Sequence, residues 1–209
     1  MPSHLILDIG NVLCRWDGPA LLASVFDDPA DREQARSALV QHPDWVALDA
    51  GTLTVTEAAE RAATRCEIPA SRFIDLLHAL PPSLQPFPDI HDAVIDAQQR
   101  GVPVYILSNM HAHSWDYLWK TYPVFAGCRG IVVSCDIQLT KPDAAIYQHL
   151  TTRFSLEPRE CVFVDDMPEN IDAARNCGWA GEVLDSPGDG AALIQGLCHN
   201  ILEHKAKAE

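Results

Sequence analysis

Three carboxylates, a serine, an asparagine and a lysine stand where they could do phosphorus chemistry together. Asp8 follows the apolar run Leu5-Ile6-Leu7. Ser108 and Asn109 follow a run ending at Leu107, Lys141-Pro142 follows a third run across a short loop, and Asp165-Asp166 follows a fourth. If these runs are parallel strands, all six residues gather at one sheet edge, where doubly wound folds bind ligands. Asp165-Asp166 facing Asp8 would crowd like charges, which is costly unless a cation or proton intervenes. A hard cation with oxygen ligands, such as Mg²⁺, answers that need. Lys141 and Ser108 offer donors to phosphoryl oxygens, and the Gly10 region offers backbone N–H groups. Asp8 is left as the in-line nucleophile, giving an aspartyl-phosphate that water hydrolyses in a second step.

The elements that must position these residues follow from apolar patterning. Buried strands are expected at 4–7, 102–107, 130–134 and 161–164, with a weaker fifth at 180–184, because these runs are aliphatic, β-branched and short. Helical patterns separate the later ones, at 90–100, 144–153 and 170–177; Gly101 and Gly178 follow the first and last of these as C-terminal stops. Alternation of this kind implies right-handed crossovers and a parallel sheet covered by helices on both faces. The segment 17–84 breaks the alternation. It carries helical patterns at 20–26, 30–41, 56–66 and 71–80, with Thr54 and Glu57 marking a helix start. Pairs such as Asp28-Pro29 and His42-Pro43 read as breakers. The expected fold is an α/β, Rossmann-like, doubly wound core (1–16 and 85–209) with a small all-helical unit (17–84) inserted after the first strand.

Composition narrows the function classes. The 209 residues are 47% hydrophobic and 21% charged, an ordinary globular balance that argues against disorder. Fifteen Lys+Arg against 29 Asp+Glu give a net charge of −14, so phosphate backbones and anionic membrane surfaces are poor partners. The seven cysteines include no C-x-x-C pair and are odd in number, suggesting neither a zinc knuckle nor a disulfide framework. The apolar run at the start is too short for a secretory leader, and no run could span a membrane. A reduced, cytoplasmic protein is the expectation, with 205–209 a frayed tail.

The four motifs, in this order and each after an expected strand, resemble the haloacid dehalogenase (HAD) superfamily over nearly the whole chain. The wording Asp-Ile-Gly-Asn-Val, Leu-Ser-Asn, Lys-Pro-Asp-Ala-Ala-Ile-Tyr-Gln and Asp-Asp is similar to a bacterial sugar-phosphate phosphatase subgroup that includes alpha-D-glucose-1-phosphate phosphatases. The resemblance implies that the helical unit 17–84 is a small cap domain and that Asp8 is the nucleophile. It implies Mg²⁺ held by the Asp8 carboxylate, the Gly10 carbonyl and Asp166, with Asp165 acting through water. Ser108, Asn109 and Lys141 would bind the phosphoryl oxygens of a small phosphorylated metabolite. A second aspartate, two residues after the nucleophile, is usual in these phosphatases and serves as acid and base; here that position is Gly10. His111, His113, His42 and Asp44 are candidates to replace it. The alternatives are a 2-haloacid dehalogenase, which uses the same aspartate without Mg²⁺, and a non-catalytic binding relative. Trp16, Trp45 and Asp49 are candidates to read the leaving group, whereas Trp115 and Trp119, at i, i+4 spacing, are expected to pack. His111 and His113 lack a third ligand nearby in sequence and are not expected to hold a metal.

Overall fold

The structure is a computed structural model, and it describes residues 2–206. Its core is a five-stranded parallel sheet in the order β3-β2-β1-β4-β5. The strands are β1 His4–Leu7, β2 Val104–Ser108, β3 Gly130–Val133, β4 Cys161–Asp165 and β5 Ala180–Val183, all five at the expected places. β1 is central, with β2 on one side and β4 on the other. The chain order reverses across β1 and β4, which makes the crevice beyond their carboxyl ends the natural ligand site.

Alternate residues of the strands serve two cores. Leu5, Leu7, Val104, Ile106, Val162 and Val164 face one hydrophobic cluster; Ile6, Tyr105, Leu107 and Phe163 face the other. The second cluster includes Ile146, Tyr147 and Leu150 of the helix Ala144–Phe154 and Ile171 of the helix Pro168–Asn176. Burial on both faces is why the strands read as continuous apolar runs without polar alternation.

Between β1 and β2 the chain forms α1 Gly18–Val25, α2 Pro29–Ala35, α3 Pro43–Asp49, α4 Val55–Ala63, α5 Ala70–Ser83 and α6 Pro88–Gln99, with a π-helical turn at Arg36–Val40 that continues α2. The two proline pairs expected to act as breakers are instead helix starts: Pro29 and Pro43 occupy the first turns of α2 and α3, capped by the side chains of Asp28 and His42. Proline suits that position because the missing N–H has no intrahelical partner there. Thr54 caps α4 as expected, and Glu57 bonds back to it to make the cap reciprocal. The connections into and out of the insertion pair with each other: Arg15 N donates to Gln85 O at 2.8 Å and Phe87 N to Leu13 O at 3.0 Å.

After β2 come α7 Ala112–Thr121, α8 Ser134–Ile137, α9 Ala144–Phe154, α10 Pro168–Asn176 and α11 Pro187–Ala206. α11 is missing from the sequence expectation. Its Gly188, Gly190 and Gly196 weaken a helical reading, yet a Cβ at Gly190 would run into Ile90 of α6, so glycine there permits close helix packing. Of the tail expected to fray, Lys205 is helical and its Nζ donates to Gly101 O at 3.1 Å. Residues 207–209 lie outside the described residues. No helix among the described residues is long and apolar enough to cross a membrane.

Candidate active site

Strand register assembles the acidic centre. Leu7 pairs with Val164, and Asp8 N donates to Val164 O at 3.0 Å, so Asp8 emerges beside Asp165. Leu7 also pairs with Ile106, which brings Ser108 to the same edge. The buried Ser108 side chain is near enough to Asp8 to favour its charged form slightly. After Asp8 the chain turns sharply: Asn11 adopts a left-handed conformation (φ 52°), and its N–H donates to Cys14 O at 2.7 Å. Asparagine tolerates that region better than most side chains. The Asn11 amide donates to Asp166 Oδ2 at 2.9 Å and accepts from Trp16 N at 3.0 Å, tying the turn after Asp8 to both the acidic pair and the start of the insertion.

Lys141 is the cation of the site. Its Nζ lies 2.7 Å from Asp8 Oδ1 and 2.6 Å from Asp165 Oδ2. Asn109 clamps its backbone from both sides, accepting from Lys141 N at 2.8 Å and donating to Lys141 O at 2.9 Å. Asp165 is saturated by protein donors: besides Lys141, it accepts from the Asn170 amide at 2.9 and 3.0 Å and from Met167 N at 2.8 Å. Burial works against the Lys141 charge, but Asp8 and Asp165 outweigh it and raise the ammonium above its usual range. Burial, opposed by Lys141 and reinforced by Asp165, lifts Asp8 to about 6.

Asp8, Asp165 and Asp166 each present an oxygen within 4.8 Å of the others. Asp8 Oδ1 is buried and, although near Lys141, has no aligned hydrogen-bond donor. With Asp165 saturated, the carboxylate oxygens of this cluster left for a hard cation are those of Asp8 and Asp166. Three carboxylates and one ammonium carry two net negative charges, which a divalent cation would neutralise. The donor set therefore fits Mg²⁺.

Above these groups opens a cavity of about 280 Å³. Its floor includes Asp8, Gly10, Lys141 and Asp166; the insertion contributes Trp45, Asp49, Leu80 and Leu84. Trp16 and Trp45 lean together with ring centroids 5.4 Å apart, and Trp45 meets His111 at 4.7 Å. His111 Nε2 lies 3.1 Å from Asp49 Oδ1 but outside hydrogen-bond geometry. Burial and His113 push His111 down to about 4. Burial and the Asp8 charge, opposed by Lys141, push Asp49 up to about 7.

The residues singled out from sequence divide clearly. Asp8, Gly10, Ser108, Asn109, Lys141, Asp165 and Asp166 converge. Among the candidates to replace an acid at Gly10, His111 alone lines the cavity. Asp44 is engaged elsewhere, with Arg65 at 2.5 Å, Arg61 at 3.5 Å and His42 at 3.5 Å. Burial raises its carboxyl, but Arg65 outweighs burial and holds it below the usual range. His113 stacks edge-on with His78. Trp115 packs as expected, against Phe125 at 5.3 Å, but Trp119, 5.8 Å from Trp115 in α7, is half exposed and not the packing residue the spacing suggests. The bridging role of Asn11 is absent from the sequence reading, and the only local signal for it is the turn-prone Gly10-Asn11 pair.

Among known families, the model of haloacid dehalogenase-like hydrolases matches residues 5–178. A sesquiterpene phosphatase of Aspergillus oryzae is 22% identical over 176 residues, covering 84% of this chain and 86% of that protein. Two further curated relatives are much longer, and the chain spans 19% and 33% of their lengths; in another, 44% of this chain matches 41% of the protein. A HAD family enzyme of Bacteroides thetaiotaomicron superposes with a TM-score of 0.72 at 19% identity, covering 92% of this chain and 98% of that one. The same enzyme in complex with magnesium and inorganic phosphate superposes at 0.66, again at 19% identity, over 88% and 94%. The L-2-haloacid dehalogenase of Xanthobacter autotrophicus, with chloropropionic acid covalently bound, also superposes at 0.66, at 18% identity, over 88% and 78%.

Proposed function

Because the chain belongs to the haloacid dehalogenase-like hydrolases, we propose that it is a Mg²⁺-dependent phosphatase that hydrolyses small phosphorylated metabolites, sugar phosphates among them, through an aspartyl-phosphate on Asp8. The observation that carries this reading is the buried Asp8 Oδ1, which lacks an aligned donor and stands beside Lys141, in a carboxyl that clusters with Asp165 and Asp166. The relative named a phosphatase and the structural neighbour holding magnesium and phosphate support it.

In this reading Asp8, Asp166 and the Gly10 carbonyl hold Mg²⁺, with Asp165 behind them. The bound cation supplies charge neutralisation for the incoming phosphoryl group. Lys141, Ser108 and the second N–H of the Asn109 amide receive phosphoryl oxygens. Asp8 attacks phosphorus in line, the leaving oxygen departs, and water then opens the acyl phosphate and restores Asp8. Segment 17–84 acts as a cap over the core, closing the cavity with Trp45, Leu80 and Leu84 and excluding stray water. The cavity is at the small end of ligand sites, and its two tryptophans offer flat faces suited to a sugar ring. The net charge of −14 disfavours nucleic acid as substrate. Seven free cysteines are in keeping with a reducing, cytoplasmic setting.

Phosphate release from a panel of sugar phosphates, with and without Mg²⁺, tests the reading beside halide release from 2-haloacids. Mg²⁺-dependent phosphate release that Asp8→Asn abolishes is the expected result. Halide release without Mg²⁺ would replace it with a dehalogenase, and inactivity on both panels with a binding protein.

A further inference from the structure

We propose that Asp49, reaching the cavity from the end of α3, is the acid that protonates the leaving oxygen and the base that activates water. The proposal rests on the phosphatase reading above and assigns the proton that reading leaves unassigned. Attack by Asp8 breaks the bond from phosphorus to the leaving oxygen, and an alkoxide is a poor leaving group without a proton. The β1 turn supplies none, since Gly10 has no side chain there. A Cβ built at Gly10 meets only Asp8 Oδ2, at 3.8 Å.

Five titratable side chains line the cavity: Asp8, Asp49, His111, Lys141 and Asp166. Asp8 is the nucleophile, Lys141 is locked between two carboxylates, and Asp166 is bonded to Asn11 and belongs to the cation's oxygens. His111, held far down by burial, is neutral at pH 7 and a poor proton donor. Asp49 is left, and its side chain is 17% exposed.

Asp49 is fixed by the core although it lies in the insertion. Its carbonyl accepts from Ser134 Oγ, and that same Oγ accepts from Met110 N at 2.9 Å. Two residues on, Gly51 (φ +67°) packs so tightly on Cys135 that a Cβ would collide with the Cys135 backbone. These contacts anchor the end of α3 to α8. The charged or titratable groups acting on Asp49 are Asp8 and Lys141 from the core, His111 from the loop after β2 and Cys135 from α8. Asp44, on the same helix, is neutralised by Arg61 and Arg65. Burial, the larger cause, favours the protonated carboxyl, which suits an acid near neutral pH. In the first step the Asp49 proton passes to the leaving oxygen. In the second, the Asp49 carboxylate takes a proton from water as water attacks phosphorus. The phosphorus–Oδ bond of the acyl phosphate breaks, Asp8 regains its carboxylate, and Asp49 ends protonated.

The test is Asp49→Asn, with Asp49→Ser as a second variant in case the amide disturbs folding. 4-Nitrophenyl phosphate needs little acid in the first step, so the variant should release about one equivalent of nitrophenolate in a burst and then stall with phosphate on Asp8. Turnover of an alkyl phosphate should fall by about 10²–10⁴-fold. Gly10→Asp in the Asp49→Asn background should recover part of that loss. If both variants show no burst and lose the same factor on aryl and alkyl phosphates, or only raise KM, Asp49 merely binds substrate and the proposal is overturned. If wild type itself releases no phosphate from any substrate, the phosphatase reading fails instead.

Discussion

Lys141 Nζ lies 2.6 Å from Asp165 Oδ2, with side chains 2% and 0% exposed. Each charge compensates the other, and removing one partner of such a buried pair strands the other. Asp8, 2.7 Å from the same ammonium, is a third member of the cluster. Lys141→Met therefore leaves two buried carboxylates uncompensated. The metal-free variant is expected to lose about 3–5 kcal/mol in urea melts and to recover part of that on adding Mg²⁺, while phosphatase turnover collapses. A melt within about 1 kcal/mol of wild type would show that solvent, and not Lys141, compensates the cluster.

Asp166 tests the cation. It is half-buried, and burial, relieved in part by the Asn11 amide, raises its carboxyl. A ligand present at 100 times its Kd stabilises the folded state by about 2.7 kcal/mol. Wild type should gain on that order from Mg²⁺, and Asp166→Ala should gain much less. An equal rise in melting temperature for both proteins would remove Asp166 from the cation site.

The sheet and its motifs are legible in the sequence because strands buried on both faces are continuous apolar runs, and because the chemistry follows directly after them. The run 4–7 coincides with β1, and the runs 130–134 and 180–184 overshoot β3 and β5 by one residue at their C-terminal ends. What escapes the sequence is set by distant partners. α3 is hidden behind Pro43, whose place in the first turn depends on the His42 cap. α11 is hidden by glycines whose use emerges only against Ile90. Asp49 is recognisable from sequence as a candidate to meet the leaving group, but not as a proton carrier. Its burial, its closeness to His111 and the field of Asp8 arise only when the end of α3 docks on α8, whereas Asp44, five residues earlier on the same helix, faces Arg61 and Arg65 instead.

Trp45 should set affinity for the organic part of the substrate. It bridges Trp16 and His111 at the cavity wall, while the Asp8–Lys141–Asp165 cluster is held by its own ion pairs on the floor. Trp45→Ala is expected to raise KM for the best sugar phosphate roughly tenfold, as the loss of about 1.4 kcal/mol of stacking and burial would do. Inhibition by inorganic phosphate should stay unchanged. A parallel loss of phosphate inhibition would mean that Trp45 shapes the catalytic floor.

Asp49 also predicts how stability changes with pH in the metal-free protein. Its folded pKa of about 7 is above the ordinary carboxylate value because burial, then the charge of Asp8, disfavours ionisation. The folded state therefore holds a proton that the unfolded chain gives up from about pH 4 upward. That contribution is complete in acid and is lost as pH rises through about 7. His111 works in the opposite direction: burial keeps it neutral down to about 4, so its contribution is present above the ordinary histidine value and is lost as pH falls. Asp49→Asn removes only the Asp49 contribution. The variant should unfold at higher denaturant than wild type at pH 8, by one to a few kcal/mol, since each tenfold change in an ionisation equilibrium is worth roughly 1.4 kcal/mol. The gap should close near pH 4. Equilibrium urea melts of both proteins in chelator, from pH 4 to pH 8, measure it. A gap constant over that range would mean that Asp49 ionises as freely as an exposed carboxylate.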